Sequence, residues 1–392
     1  MIRRIEAEEQ RARLALRHHL APEARAGSAV EAAGDMVALH GTDPASVFLA
    51  AWARTRSADA GGLERALYED RSLVRILGMR RTMFVLPLEI ASVVHAACTR
   101  AIAVQQRRLL VQLLTDAGVA GDPAAWLEEV EEATFRALEA RGKATAQELS
   151  ADEPRLRQQM LLAEGKNYEA LVNITTRVLF LMAADARIIR GRPRGSWISS
   201  QYAWHPMRSW LPGGLGEPTI DAARNELARR WLRAFGPAAL SDLRWWTGWT
   251  AGDLKRALAG VAVEAVDLDG VAGVVLAGDL EPVPSPEPWA ALLPALDPTV
   301  MGWPDRGWFL GRHGPALFDR SGNAGPTVWW DGQIVGGWAQ RKDGEVVFRI
   351  LEDVGEEGVG AIEAVAEELR GWLGPLRVTP RFRTPLEKEL VA

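Results

Sequence analysis

Cysteine is nearly absent from the 392 residues: Cys98 stands alone. One thiol allows no internal disulfide and no cysteine cage for zinc, so a reducing or redox-indifferent compartment is expected. "VVHAACTR" places Cys98 on what reads as a buried helix face. No run of eighteen apolar residues exists, so no helical membrane span is expected. The first twenty residues are charged throughout and contain no apolar signal core. Phosphate-loop, dinucleotide-fingerprint, HExxH and nucleophile-elbow patterns are all missing. The six histidines are scattered, which argues against metal catalysis. Kinase, dehydrogenase, hydrolase and zinc-enzyme classes recede together, and no cofactor is implied. Lysine is scarce beside arginine, whose forked donors suit phosphate. A net charge of −5 argues only weakly against a nucleic-acid partner, because local pattern outweighs the sum.

What is present is ordinary globular material, 48% hydrophobic and 25% charged. Residues 8–118 read as largely helical. A helix enters at Asp122-Pro123 and stops at Gly142. "ATAQELSADEPRLRQQML" predicts a short helix, a turn and a second helix, and Asn173 is a candidate cap for the next one. "RIIRGRPRGSWISSQYAW" then switches to two-residue alternation. Helices followed by a basic hairpin are the profile of a winged helix. The profile recurs: helices over 219–260, one capped by Thr250, then a hairpin on Asp269-Gly270. From Pro284 onward alternating strands turn at Asp331-Gly332 and Asp343-Gly344, with "LRVTP" as a closing strand, which predicts a small barrel-like unit. The expected division is 1–118, 119–212, 213–283 and 284–392.

Two segments suggest DNA. Arg187, Arg190, Arg192 and Arg194 are interleaved with Trp197, Tyr202 and Trp204 on the predicted wing. Such a pattern suits backbone contact plus stacking on bases; the alternative is a solvated hairpin whose aromatics face its own core. "GMRRTMFV" sets Arg80 and Arg81 ahead of a strand. Within the apolar segment "VALHGTDPASVFLAAWAR", the tetrad His40-Gly41-Thr42-Asp43 stands out. If Val37–Thr42 is extended, residues 40 and 42 share a side. Asp43 or Thr42 then caps a helix with Pro44 in its first turn. The plain alternative is a hydrogen-bonded interior histidine ahead of a helix start.

"LYEDRSLVRILGMRRTMFVLP", "WLRAFGPAALSDLRWWTG", "LLPALDPTVMGWPDR" and "GPTVWWDGQIVGGW", in this order, resemble the winged-helix DNA glycosylases of the AlkZ and YcaQ kind. The resemblance spans nearly the whole chain. It implies an α+β fold of three tandem winged-helix units forming a concave surface, closed by a C-terminal β-barrel. It implies a monofunctional glycosylase acting on double-stranded DNA with bulky or cationic alkylated purines, such as N7-alkylguanine. Self-resistance to a DNA-alkylating natural product is a possible setting, and a cytoplasmic, nucleoid-associated bacterial monomer the default expectation. The family's catalytic Gln-x-Gln or Gln-x-Asp aligns with His40-Gly41-Thr42. His40 is then the candidate base of near-neutral pKa. Thr42 holds the water, and Asp43 orients His40 or serves as a second base unless its carboxylate is committed to the cap. Arg80, Arg81, Arg190, Arg192 and Arg194 are expected on phosphates and Trp197 and Tyr202 on bases, while Asp297 is expected to be structural. No lysine nucleophile lies near the motif, so no lyase step is expected. A non-catalytic damage binder and a winged-helix transcriptional regulator remain the alternatives.

Overall fold

The computed structural model describes residues 2–57, 59–162 and 170–392. Local signals fix most of its elements. Asp43 accepts from the Ala45 N–H and starts the helix Pro44–Trp52, every residue of which is buried. Just before it, Leu39–His40 forms a short edge strand. That strand pairs antiparallel with Met83–Pro87, which pairs in turn with Leu73–Leu77. His40, Phe84 and Ile76 therefore lie in one row across the sheet. Downstream, helix Leu88–Val94 passes through a π-helical turn, His95–Thr99, into helix Arg100–Asp116. Cys98 is buried on that turn.

The helix Pro123–Arg141 starts on Asp122 and stops at Gly142, whose φ of 71° suits a residue without a Cβ. Thr145 and Glu148 cap each other reciprocally at the head of Ala146–Asp152. The second helix expected in "ADEPRLRQQML" is absent. Pro154–Arg157 makes one 3₁₀ turn, and Gln159–Leu162 then pairs with Ala170–Asn173 as a hairpin. Asn173 thus ends a strand, and the helix Thr175–Ala184 begins after Ile174. The ladder across this hairpin, invisible to local propensity, overrides the helical pattern. The predicted basic hairpin forms from Ile188–Pro193 and Tyr202–Pro206. Helices Ile220–Phe235, Leu240–Thr247 and Ala251–Leu258 precede the hairpin Val263–Leu268/Val271–Leu276. Thr250 caps its helix in a box with Asp253. The chain's own Arg3–Arg4 adds a parallel strand to that hairpin.

The C-terminal sheet is open, which corrects the expectation of a barrel. Ala290–Leu293, Thr327–Trp330, Gln333–Gln340 and Val346–Ile350 pair in sequence as four antiparallel strands. Helix Gly355–Leu373 packs against both outer strands, Ala290–Leu293 and Val346–Ile350, and against Thr327–Trp330. "LRVTP" forms no strand. Gln340 holds it through its side chain, accepting from the Val378 N–H at 2.8 Å and donating to the Leu376 carbonyl at 3.1 Å. Among the described residues, no helix is long and apolar enough to cross a membrane.

One continuous core joins the front segment, the helices of 220–258 and the C-terminal sheet, while Leu110 through Trp204 contribute a separate one. A buried polar chain stitches the larger core. Arg54 makes a two-pronged ion pair with Asp297, at 2.6 and 2.8 Å, and donates to the Thr299 hydroxyl at 2.7 Å. Thr299 lies 3.0 Å from Nδ1 of His18, whose Nε2 faces the Ala234 carbonyl at 3.1 Å. Burial holds the pKa of His18 well below its usual value, so the ring is neutral. The carbonyl requires a proton on Nε2, so Nδ1 accepts from Thr299. Removing one partner of a fully buried pair strands the other charge, at about 3–5 kcal/mol. Urea denaturation of Asp297→Ala should show a loss of that order, and Arg54→Met/Asp297→Leu a smaller one.

Candidate active site

The tetrad identified in the sequence is a strand end, a tight turn and a helix cap. Gly41 donates to the Met83 carbonyl at 2.7 Å, and its α-carbon lies so near the neighbouring strand that a Cβ would meet the Met83 oxygen at 3.3 Å. Only glycine allows this approach without displacement. Asp43 closes the turn from the other side. Its Oδ1 accepts from the Ala45 N–H at 3.2 Å and its Oδ2 from the Arg381 N–H at 3.0 Å. Both oxygens are committed, burial pushes the carboxyl pKa up, and no bond runs to His40. Asp43 is therefore a clamp on the turn; the roles of second base and orienting partner do not fit its geometry.

His40 is interior, 8% exposed, with its ring edge-on to Phe84 at 5.5 Å between centroids. It is not a satisfied core histidine: Nδ1 is buried without a hydrogen-bond partner among the described residues. An unmade bond on a buried polar atom costs about 1–3 kcal/mol, which a water or ligand at that atom would recover. Burial, and secondarily the Arg80 guanidinium, drive the His40 pKa down to about 3. The near-neutral base expected from the sequence does not fit this burial. At neutral pH the imidazole is uncharged and acts as a hydrogen-bonding group, as an amide does. Thr42 is half-buried, and its hydroxyl is bonded to none of the described residues.

Arginines stand on both sides of this turn. Arg80 and Arg81 form consecutive left-handed residues, with φ of 51° and 60°. Non-glycine residues there are strained, a feature that concentrates at functional sites. The kink splays the two side chains. Arg80 lies 3.8 Å over the Trp245 ring, which Arg306 approaches at 5.6 Å, and Arg81 lies 5.8 Å from the Phe180 ring. Burial and the nearby Arg80 lower the Arg306 pKa to about 10. On the other side, the Tyr202 ring faces Arg75 at 4.7 Å and Arg190 at 5.5 Å, and Arg190 also lies 5.1 Å from Trp204. Arg75 is 4% exposed and donates to the Tyr202 hydroxyl. Burial, then Arg75 and Arg381, bring the Arg190 pKa down to about 10. Among the described residues none of Arg75, Arg80, Arg81, Arg190 and Arg306 pairs with a carboxylate. Arg80, Arg81 and Arg190 thus lack a counter-ion among the described residues, whereas Arg75 is buried against Tyr202 and Arg306 donates to the Val300 carbonyl at 2.7 Å.

The remaining wing residues lie elsewhere. Arg192 is paired with Glu64 and Glu69 at 3.4 and 2.9 Å, and Arg194 with Glu148 at 2.9 Å. Phosphate binding there must displace a carboxylate first. Trp197 is buried and stacked on Phe48 at 4.6 Å, so the expected base contact does not fit its place. Arg75, Arg306 and Arg381 were missed in the sequence. The signal for Arg75 was a lone charge inside the apolar run "LVRIL"; the other two carried none.

A histidine kept neutral by folding makes stability depend on acid. The unfolded chain protonates His40 below about pH 6.5, whereas the folded chain does so only near 3. Folding stability attributable to this group is therefore full above 6.5 and falls as pH drops toward 3. By pH 5 the loss is about 2 kcal/mol from His40 alone. Urea titrations at pH 7 and pH 5 should show His40→Gln losing less stability over this interval than the unsubstituted chain.

No match is found among curated proteins. Among solved structures, Streptomyces sahachiroi DNA glycosylase AlkZ superposes with a TM-score of 0.74 at 21% identity, over 96% of this chain and 99% of that one. At that identity the likeness carries the fold. Residues 33–373 match the family described as DNA glycosylase AlkZ-like, a span that includes the tetrad, the arginine kink, the wing and the C-terminal sheet. The chain belongs to the AlkZ-like DNA glycosylases, enzymes of DNA binding and repair.

Proposed function

We propose that this chain hydrolyses the N-glycosidic bond of bulky or cationic alkylated purines of the N7-alkylguanine type in duplex DNA. Three tandem winged-helix units and the C-terminal domain would form its DNA-binding surface. The observation that carries the reading is the uncharged imidazole of His40, its Nδ1 without a partner among the described residues, held at a strand end between two groups of arginines that pair with no carboxylate among those residues.

The chemistry asks little of a base. A purine already cationic at N7 leaves as a neutral molecule, while positive charge builds on the sugar. The protein must hold one water beside C1′; once that water bonds to the cationic sugar it is strongly acidic, and its proton passes to solvent. A neutral imidazole accepts a hydrogen bond from that water without adding a positive charge beside the developing cation. Thr42 offers a second contact. His40 and Thr42 thereby do what two amides, or an amide and a carboxylate, do in the Gln-x-Gln and Gln-x-Asp motifs. Asp43 positions the pair and stays out of the reaction. The wing and the kink supply phosphate contacts through Arg80, Arg81 and Arg190, while Tyr202 presents its ring between Arg75 and Arg190. No step requires a lysine nucleophile, so the product is an intact abasic site. A bacterial producer of a DNA-alkylating natural product is a setting in which such an enzyme protects its own genome.

The test uses duplex carrying one N7-alkylguanine, with abasic sites cleaved by alkali after incubation. His40→Ala should lower single-turnover base release about 100-fold, the scale for removing one preorganised polar group, with duplex affinity retained. His40→Gln should stay within about tenfold of the unsubstituted chain, because a neutral polar group is restored. Equal background cleavage by all three proteins, with binding intact, would leave a damage binder.

A further inference from the structure

A groove of about 370 Å³ opens between the arginine kink, the helix Arg100–Asp116 and the helix Thr175–Ala184. Its volume is at the lower end for small-molecule sites. Arg81 and Arg177 both line it, and among the described residues neither pairs with a carboxylate or makes a side-chain hydrogen bond. They are close enough that Arg81, after burial, lowers the pKa of Arg177. Two like charges facing one space without a counter-ion favour an anion between them. The half-buried Phe180 contributes an aromatic ring. Gln106 is more than nine-tenths buried, yet its amide makes no hydrogen bond with any described residue. Asn173 and Thr176 add exposed polar groups at the rim. The groove therefore combines cations for a phosphate, a ring for stacking, and an unbonded amide in its lining for the edge of a base.

We propose that this groove binds the nucleotide opposite the lesion, extruded from the duplex, with its phosphate on Arg81 and Arg177 and its base on Phe180 beside Gln106. The inference rests on the reading of this chain as a DNA glycosylase. Location supports it: Phe180 packs with Leu77 and Met83, and the Met83 carbonyl holds Gly41 of the catalytic turn. Charge selects the occupant. A cationic alkylated purine is repelled by the two guanidiniums, whereas an uncharged base with its phosphate is attracted. Energy selects among uncharged bases. Flanking nucleotides keep their partners, while the one opposite an excised purine has lost its pairing and costs least to extrude. Holding it away from the helix would keep the strand from re-stacking over the abasic sugar.

The test is a duplex with a tetrahydrofuran abasic analogue opposite 2-aminopurine, a base whose emission rises when it leaves the stack. Saturation with the unsubstituted protein should raise emission several-fold, with no such rise when 2-aminopurine is placed beside the analogue on the same strand. Phe180→Leu keeps an apolar side chain but removes the ring and should abolish most of the rise. Arg177→Gln, which leaves the core untouched, should reduce the slope of log affinity against log salt by about one. Binding without a rise, a rise only at the neighbouring position, or an undiminished rise with Phe180→Leu would overturn the assignment of this groove. A protein that binds neither this duplex nor one carrying N7-alkylguanine would overturn the glycosylase reading itself.

Discussion

The carboxylate of Asp43 is the constraint on which the candidate site turns. One oxygen closes the first turn of a wholly buried helix, and the other holds the backbone of Arg381, 338 residues further along the chain. With Gly41 pinned to Met83 from the opposite side, the turn has no freedom to slide along the sheet. His40 is consequently fixed at a strand end, where it pairs with Phe84 and, among the described residues, has nothing to bond through Nδ1. Asp43, expected to orient His40 or serve as a second base unless committed to the cap, is thus the anchor, and the polar groups ahead of it are the ones left open. The buried chain of Arg54, Asp297, Thr299 and His18 serves the same end at longer range, because it locks the helix after the turn to the C-terminal segment.

Electrostatics separates the arginines that matter from those that merely abound. Arg192 and Arg194 look like the boldest phosphate contacts, yet both are already neutralised by glutamates. Arg75, Arg80, Arg190 and Arg306 are not, and they stack on aromatic rings that hold their guanidiniums in place. The same unpaired charges keep protons away from their surroundings. Arg80 contributes to the depressed pKa of His40, after burial, so one side chain both favours an anionic strand and keeps the imidazole neutral. On the proposed reading, a neutral histidine takes the place of the first glutamine in a Gln-x-Gln or Gln-x-Asp motif.

Features set by a few adjacent residues were legible in the sequence. Asp43-Pro44, Asp122-Pro123 and Thr250 announced helix starts, and Asp269-Gly270 announced a hairpin. Features set by distant partners were not. The strand Gln159–Leu162 exists because Ala170–Asn173 returns alongside it, and "LRVTP" stays irregular because Gln340 satisfies its backbone from the side. The barrel expectation failed for a related reason: alternation and Asp-Gly turns give strands and hairpins but do not say whether the two outer strands will pair. In the site, the tetrad and the Arg80-Arg81 pair were visible as polar residues in apolar surroundings. Trp197 was misjudged because its partners, Phe48 and Trp372, come from segments far from the wing. The acidity of His40 depends on Phe84 and Arg80 closing over it, which no spacing encodes.

The most direct measurement is the pH profile of single-turnover base release from duplex carrying N7-alkylguanine. A neutral, buried His40 that only orients water predicts a flat rate from pH 8 down to pH 5, parallel to that of His40→Gln. A rate that falls with an apparent pKa near 6.5 in the unsubstituted protein but not in His40→Gln would make the imidazole a titrating base and contradict the account.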